Sequence, residues 1–207
     1  MNLANKLTVS RIIAVPFVMG ALLMDNVAYN LELNIPRILI ISKYLALLIF
    51  IAAMVTDLFD GRIARQRKLI TPFGSFFDPI ADKLLISAVL ICFVEMHLMP
   101  AWMVIIIIFR EFIITGLRIL AVRKGVDIPA GPLGKYKTIS QMVMIIALLI
   151  YVVYKATLGE KINGLIITGS ILDLSLYILM LITVIMTLIS GYSYVRNHWG
   201  LIVEGAR

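Results

Sequence analysis

Four aspartates are the residues of this sequence whose type and spacing point most directly to chemistry. Asp57 and Asp60 are three residues apart, and Asp78 and Asp82 are four apart, so on helices each pair would share one face. An isolated Asp at the centre of a membrane span costs about 2.5–3.5 kcal/mol, and four converging carboxylates also repel one another. Protonation or bound cations would relieve this. Two ions of Mg²⁺ or Mn²⁺ match four carboxylates in charge, and two-metal sites are typical of phosphoryl displacement.

Neighbouring basic residues offer the alternative that the acids only form ion pairs. These cations are Arg62, Arg65, Arg67, Lys68 and Lys83. Charge balance alone does not require two same-face pairs that flank Gly61 and Gly74. These glycines and Ala64 would let a ligand approach the backbone closely, although helix packing is an alternative role for small residues.

The elements that must position these acids are predicted to be membrane helices. The chain has 207 residues, of which 61% are apolar and 15% charged, and its mean hydropathy is +1.01. These values exclude an ordinary soluble, disordered or fibrous protein. Because backbone in hydrocarbon must satisfy its own hydrogen bonds, the long apolar segments are predicted to be helices. Six such segments lie at roughly 7–25, 38–60, 73–95, 101–122, 138–156 and 171–195.

The predicted fold is therefore all-α: one polytopic membrane domain over 1–207, with six transmembrane helices and a short N-terminal interfacial segment. With the N-terminus inside, most of the 19 Lys and Arg residues fall in the inner segments. This bias predicts both termini, and the paired acids, on the cytoplasmic side. It also explains the net charge of +7 without nucleic acid, which we do not expect as a partner. Cys92, the one cysteine, lies in an apolar run and is expected to be a buried, inert thiol.

The segment from Asp57 to Asp82 resembles the signature of the CDP-alcohol phosphotransferase family. Its string D-x2-D-G-x2-A-R-x8-G-x3-D-x3-D is matched at each fixed position. The wider chain, over roughly 1–145, resembles bacterial members of this family. Three further segments carry that likeness: Asn5-Lys6-Leu7-Thr8-Val9-Ser10-Arg11, Arg110-Glu111-Phe112 with Thr115-Gly116-Leu117-Arg118, and Gly134-Lys135-Tyr136-Lys137-Thr138. The resemblance implies a multi-pass enzyme of the bacterial cytoplasmic (inner) membrane, surrounded by membrane lipids and expected to form a homodimer.

The resemblance also implies a reaction and roles for the four acids. An acceptor hydroxyl would attack the β-phosphorus of CDP-diacylglycerol, and CMP would leave. Asp57, Asp60 and Asp78 would ligate two divalent ions, Mg²⁺ or Mn²⁺. Asp82 would complete the ligands of the second ion and act as the general base that takes the proton from the acceptor hydroxyl.

Eight residues resemble the family positions that bind CDP-diacylglycerol. They are Asn5, Thr8, Arg11, Gly61, Ala64, Arg65, Thr71 and Gly74. Arg65 is expected to contact the diphosphate, and the glycines to leave room for the cytidine. For Arg11 the alternative is a side chain that only extends to lipid headgroups at the membrane boundary.

The acceptor is inferred from four cations, Arg110, Arg118, Lys135 and Lys137. A phosphorylated acceptor brings a charge near −2, and guanidinium groups hold phosphate bidentately. Glu111 is expected to orient an arginine, and Arg118 to lie in a polar pocket. Two alternatives are an interhelical salt bridge at Glu111 and basic residues that only follow the inside bias.

The segments around these cations resemble family members that use glycerol 3-phosphate, which we favour over inositol phosphate, serine or choline-type alcohols. Two other classes of protein also use acidic membrane sites. A cation transporter would place its acids near mid-membrane in broken helices. An aspartate-rich prenyltransferase would carry its motifs in separate halves of a longer chain, whereas both pairs here lie within 57–82.

Overall fold

The computed structural model describes residues 3–32, 35–67, 72–123, 131–158 and 171–198, and over 3–8, 57–67, 72–80, 82, 120, 122 and 123 it describes the backbone alone. These ranges form seven helices and contain no strand, which confirms the all-α prediction. The helices are α1 (Leu3–Leu22), α2 (Met24–Asn30), α3 (Pro36–Arg67), α4 (Pro72–Glu95), α5 (Ala101–Arg123), α6 (Pro132–Thr157) and α7 (Ile171–Asn197). Each of the six predicted segments overlaps one helix, except that α1 and α2 share the first.

Three of these helices are long and apolar enough to cross a membrane. They comprise Pro36–Thr56 of α3, all of α6 and all of α7. Val9–Leu22 and α2 are together long and apolar enough to form a fourth span, which is bent by 50° where the two helices meet. The described residues thus hold three candidate spans, or four with the bent pair, where the sequence predicts six. The apolar run of α5 is interrupted by Arg110, Glu111 and Arg118.

Large apolar side chains cover much of the outer surface of these helices. Ile105, Phe109 and Phe112 on α5 are all exposed, as are Ile178 and Ile185 on α7. In water such a surface would drive aggregation, whereas in a bilayer it faces acyl chains of matching polarity. Cys92 is fully buried, as the sequence predicts.

The bend between α1 and α2 is held by a lysine from α3. A helix leaves its last carbonyl groups without partners inside the helix. The ammonium of Lys43 donates to two of them, at 2.5 Å from the oxygen of Leu22 and 3.4 Å from that of Ala21. It also lies 2.6 Å from a carboxylate oxygen of Asp25 on α2. Lys43 is only 1% exposed. Its ammonium therefore caps the C-terminus of α1 and pairs with Asp25 of α2 at the same time.

The described residues divide into two compact units. The first comprises those within Met1–Leu98 and Ile146–Gly164, and the second those within Met99–Ile145 and Leu165–Arg207. In the first unit, α1 packs against both α3 and α4. Fully buried side chains from the three helices, such as Val18, Phe50 and Phe93, form its core. This packing places the helix that carries Asn5, Thr8 and Arg11 alongside the helices that carry the paired aspartates.

In the second unit, α5 packs against α7. Three hydroxyl residues of α7, Thr183, Thr187 and Ser190, follow one another at spacings of four and three, so they share one face of the helix. All three are buried. Each hydroxyl donates to a backbone carbonyl of α7 one turn earlier, which satisfies a polar group in an apolar environment. Thr183 also lies within hydrogen-bond distance of the Ser140 carbonyl on α6, at 3.3 Å.

Candidate functional site

The backbone places both aspartate pairs on helices. Asp57 and Asp60 lie in the last third of α3, which stays helical to Arg67. Asp78 and Asp82 lie in the first half of α4, which begins with Pro72 at the position where a missing N–H costs nothing. Each pair therefore has the same-face spacing that the sequence predicts. The four side chains themselves lie outside the described part of the structure.

The donor chemistry of these positions fits a hard divalent cation. All four residues are carboxylates, the ligand type that Mg²⁺ and Mn²⁺ prefer. Among the side chains that the structure describes, no group of three or more His, Cys, Asp or Glu gathers around a point. The candidate ligands for a metal therefore stay the aspartates of α3 and α4.

The predicted contacts to CDP-diacylglycerol fall on three helices of the first unit. Asn5, Thr8 and Arg11 lie on α1; Gly61, Ala64 and Arg65 lie on α3; Gly74 lies on α4; and Thr71 lies outside the described residues. Of their side chains only that of Arg11 is described, and it is 5% exposed. A guanidinium buried in this way is held by protein groups, which disfavours the alternative that it only reaches toward headgroups.

The second unit contains a largely buried cluster of charged and polar side chains that joins α5, α6 and α7. Its centre is Glu111, whose Oε1 lies 3.1 Å from Nη1 of Arg110 and also accepts a hydrogen bond from the ammonium of Lys137. The Lys137 ammonium also donates to the side-chain oxygen of Gln141, one turn along α6. On the α7 side, Nη2 of Arg110 donates to the Ser190 hydroxyl at 3.1 Å. We call these five residues the α5–α6–α7 cluster.

The cluster brings together two of the four cations predicted to hold the acceptor. Arg110 and Lys137 share the carboxylate of Glu111, so an interhelical salt bridge joins Glu111 of α5 to Lys137 of α6, and Glu111 also contacts an arginine. Lys137 is 1% exposed. Arg118 and Lys135 are exposed instead, and neither forms a hydrogen bond or ion pair with the described residues. The predicted polar pocket around Arg118 is not seen among these residues.

Comparison with known proteins places the chain in a family. A family model described as CDP-alcohol phosphatidyltransferase matches residues 1–189. The chain belongs to this family. The resemblance carried by the aspartate signature is thereby confirmed.

Relatives within the CDP-alcohol phosphatidyltransferase family match almost the whole chain. A CDP-diacylglycerol–glycerol-3-phosphate 3-phosphatidyltransferase of Bacillus subtilis (strain 168) is 38% identical over 198 residues, 96% of this chain and 95% of its own. A protein of the same name from Rickettsia felis is 35% identical over 195 residues, 94% of each chain. A probable phosphatidylglycerophosphate synthase of Mycobacterium tuberculosis (strain H37Rv) is 40% identical over 144 residues, 70% of this chain and 64% of its own.

The uncharged members of the cluster, Ser190 on α7 and Gln141 on α6, are not evident from the sequence. An uncharged polar residue in an apolar span carries little signal alone. The spacing of Thr183, Thr187 and Ser190 is the pattern that could have revealed a polar face, since three hydroxyl residues recur there at helical intervals.

Proposed function

We propose that this protein transfers the phosphatidyl group of CDP-diacylglycerol to glycerol 3-phosphate, releasing CMP and forming phosphatidylglycerophosphate. This is the reaction of a CDP-diacylglycerol–glycerol-3-phosphate 3-phosphatidyltransferase. The observation that carries the proposal is the relative of that name, 38% identical over 96% of this chain. The intact aspartate signature on α3 and α4 supports the same chemistry.

The reacting groups are proposed to meet at the aspartates of α3 and α4. Asp57, Asp60, Asp78 and Asp82 would hold two ions of Mg²⁺ or Mn²⁺, which would neutralise charge on the diphosphate. The oxygen of the acceptor hydroxyl bonds to the β-phosphorus, and Asp82 takes the proton that this hydroxyl loses. The bond from that phosphorus to the bridging oxygen breaks, and CMP leaves. Arg65 would contact the diphosphate.

The choice of a phosphorylated acceptor is supported by charge. Within the α5–α6–α7 cluster, Arg110 and Lys137 bring two positive charges and Glu111 one negative, so these three side chains are net positive. Arg118 and Lys135 add two exposed cations. An arginine has five N–H donors, and the contacts of Arg110 to Glu111 and Ser190 use two. Its guanidinium can therefore bind phosphate while these contacts persist.

The membrane arrangement forms part of the same proposal. We infer six transmembrane helices, with both termini and the active site on the cytoplasmic side of the bacterial inner membrane, and a homodimer as the assembly. The overlap of α1–α7 with the six predicted segments supports the number of helices, and the bias of basic residues toward the inner segments supports the orientation. One functional domain over 1–207 is proposed because a single family model spans residues of both compact units.

The test is release of CMP by the purified protein in detergent micelles that contain CDP-diacylglycerol. We expect turnover with glycerol 3-phosphate and Mg²⁺ or Mn²⁺, and none after chelation by EDTA until metal is restored. Inositol phosphate, serine and glycerol should each react at least about tenfold more slowly, since a lost substrate contact of 1.4 kcal/mol already gives that factor. Equal turnover with serine or glycerol would contradict the acceptor, and turnover in EDTA would contradict the metals.

The proposed contact between Arg118 and the phosphate of glycerol 3-phosphate can be tested by a substitution. We expect Arg118→Ala to raise the KM for glycerol 3-phosphate far more than the KM for CDP-diacylglycerol, because the exposed guanidinium is proposed to bind the acceptor phosphate. Exposed Arg37 on α3 provides a control as Arg37→Ala, which should leave both constants unchanged. Normal glycerol 3-phosphate kinetics in Arg118→Ala would remove Arg118 from the site.

A further inference from the structure

Arg110 is held from outside its own helix by one hydroxyl of α7. Its Nη2 donates to Ser190 at 3.1 Å, and the Ser190 hydroxyl in turn donates to the carbonyl of Thr187 at 3.2 Å. That second hydrogen bond fixes the direction of the hydroxyl, so its lone pair is presented to the guanidinium. Ser190 is only 4% exposed, and little water reaches this contact to compete with it.

The residue that follows Ser190 on α7, Gly191, leaves space for the Arg110 side chain. A Cβ at Gly191 would lie 3.2 Å from Cγ of Arg110, closer than most such contacts in proteins. Glycine is unfavourable inside a helix relative to alanine, and α7 continues helical to Asn197, so a turn does not explain this glycine. The close approach of the Arg110 stem does explain it.

The two ends of the guanidinium are thus held by different helices. Glu111 of α5 holds Nη1 and Ser190 of α7 holds Nη2, each at 3.1 Å. Two fixed points in the plane of a guanidinium set both its position and the direction of its remaining N–H groups. Nε of Arg110 has no hydrogen-bond partner among the described residues and is buried, so it does not provide an alternative anchor.

We propose that Ser190 and Gly191 of α7 are positioning residues that set Arg110 for the phosphate of the acceptor substrate. The inference rests on the proposed function and extends it to the last helix, where the sequence resemblance is least distinctive. Ser190 acts through its hydrogen bond and Gly191 through the absence of a side chain. Neither is proposed to touch the substrate.

The test compares two substitutions with two matched controls. Ser190→Ala removes the acceptor of the Arg110 hydrogen bond, and its control Thr187→Ala removes a buried hydroxyl one turn away that does not contact Arg110. Gly191→Ala adds a methyl group against Arg110. Its control is Gly20→Ala in α1, where no described atom lies within 4 Å of the added carbon.

The readout is the KM for each substrate, measured by CMP release. We expect Ser190→Ala and Gly191→Ala to raise the KM for glycerol 3-phosphate about five- to tenfold, which is about 1–1.4 kcal/mol and matches the net contribution of a typical intramolecular hydrogen bond. The KM for CDP-diacylglycerol should stay within about twofold, and both controls should resemble the wild type. A double-mutant cycle adds a second readout: in an Arg110→Ala background, Ser190→Ala should have no further effect on either constant.

Several outcomes would overturn the inference. One is a glycerol 3-phosphate KM within about twofold of wild type in both Ser190→Ala and Gly191→Ala. A parallel rise of both KM values, or an equal effect of Thr187→Ala, would show that α7 acts only on overall packing. If Gly191→Ala does not fold, Ser190→Ala with its control decides the question. A wild-type protein that does not use glycerol 3-phosphate would instead overturn the proposed function.

Discussion

At the scale of single residues, both lysines that are buried among the described residues, Lys43 and Lys137, are paired with a carboxylate. Lys137 and Arg110 share Glu111, and Lys43 lies against Asp25 and the end of α1. An ammonium without partners in an apolar environment would cost several kcal/mol, so each of these partners supports the fold as well as any function. Removing a partner is therefore expected to cost more than its own contacts suggest.

Glu111 is the residue where this cost should be largest. We expect Glu111→Gln to lower the free energy of unfolding by about 3 kcal/mol, because two largely buried cations lose the charge that they share. The measurement is the thermal unfolding midpoint of the purified protein in detergent. Glu95→Gln is the matched control, since Glu95 is exposed and its contact with Asn26 uses an oxygen that glutamine keeps. Equal midpoints for the two variants would contradict the importance of the shared carboxylate.

A substitution of Asp82 should separate the binding of CDP-diacylglycerol from the release of CMP. Asp82→Asn should abolish CMP release, because an amide cannot take the proton of the acceptor hydroxyl. CDP-diacylglycerol should still bind, since the proposed Arg65 contact and three of the four aspartates remain. Binding is measured by retention of the labelled lipid nucleotide on the purified variant. Asp57→Ala is the comparison and should weaken metal binding as well as catalysis; substantial turnover by Asp82→Asn would remove Asp82 from the role of base.

At the scale of elements, the existence of the helices is predictable from the sequence because their apolar length is a local property. Their ends are less so: α3 continues to Arg67 where the apolar segment ends near 60, and α6 begins at Pro132 where it begins near 138. The signature also predicts that both aspartate pairs lie on helices, and their backbone does lie on α3 and α4, although α3 continues past Asp60 to Arg67 instead of ending with its pair. The bend at Leu23 and the contacts of Ser190 were not predictable, because each depends on a partner from another helix. Spacing along one helix specifies which residues share a face but not which helix that face meets.

The bend between α1 and α2 is expected to depend on Lys43 of α3. Lys43→Met should lower the free energy of unfolding by about 1–2 kcal/mol, because the buried carbonyl group of Leu22 and the partly buried one of Ala21 lose their donor. Arg37→Met is the control, since Arg37 is exposed on the same helix. Thermal unfolding midpoints in detergent are compared. If both variants unfold at the same temperature, Lys43 does not stabilise the bend.

At the scale of the whole molecule, the exposed apolar side chains of the helices indicate a membrane protein, and the asymmetric distribution of basic residues is the basis of the proposed orientation. The three candidate spans and the bent pair account for part of the proposed six-helix arrangement. The α4 and α5 helices lack a sufficiently long described apolar stretch. Arg110 of α5 becomes compatible with a membrane position because Glu111 pairs it, and a hydropathy average does not take such pairing into account.

The orientation is testable because the sequence has a single cysteine, and Cys92 is fully buried. After Cys92→Ser, a cysteine is introduced by Arg207→Cys at the proposed inner side or by Lys161→Cys in the segment between α6 and α7. A membrane-impermeant maleimide should label Arg207→Cys only in inverted vesicles and Lys161→Cys only in intact spheroplasts. Cys92→Ser alone is the control and should stay unlabelled. Labelling of both positions from one side would overturn the six-span arrangement.

The cap that Lys43 provides has a consequence for the order in which the chain assembles. The ribosome delivers α1 and α2 before α3, so the carbonyl oxygens of Ala21 and Leu22 and the carboxylate of Asp25 are already present when Lys43 enters the membrane. A lysine in an apolar segment opposes insertion by about 2.5–3.5 kcal/mol at a span centre, and a waiting acceptor offsets that cost. We therefore expect the first helices to assist the insertion of the third. We expect α3 expressed without residues 1–32 to insert less efficiently than in the full chain, and Lys43→Leu to abolish that difference.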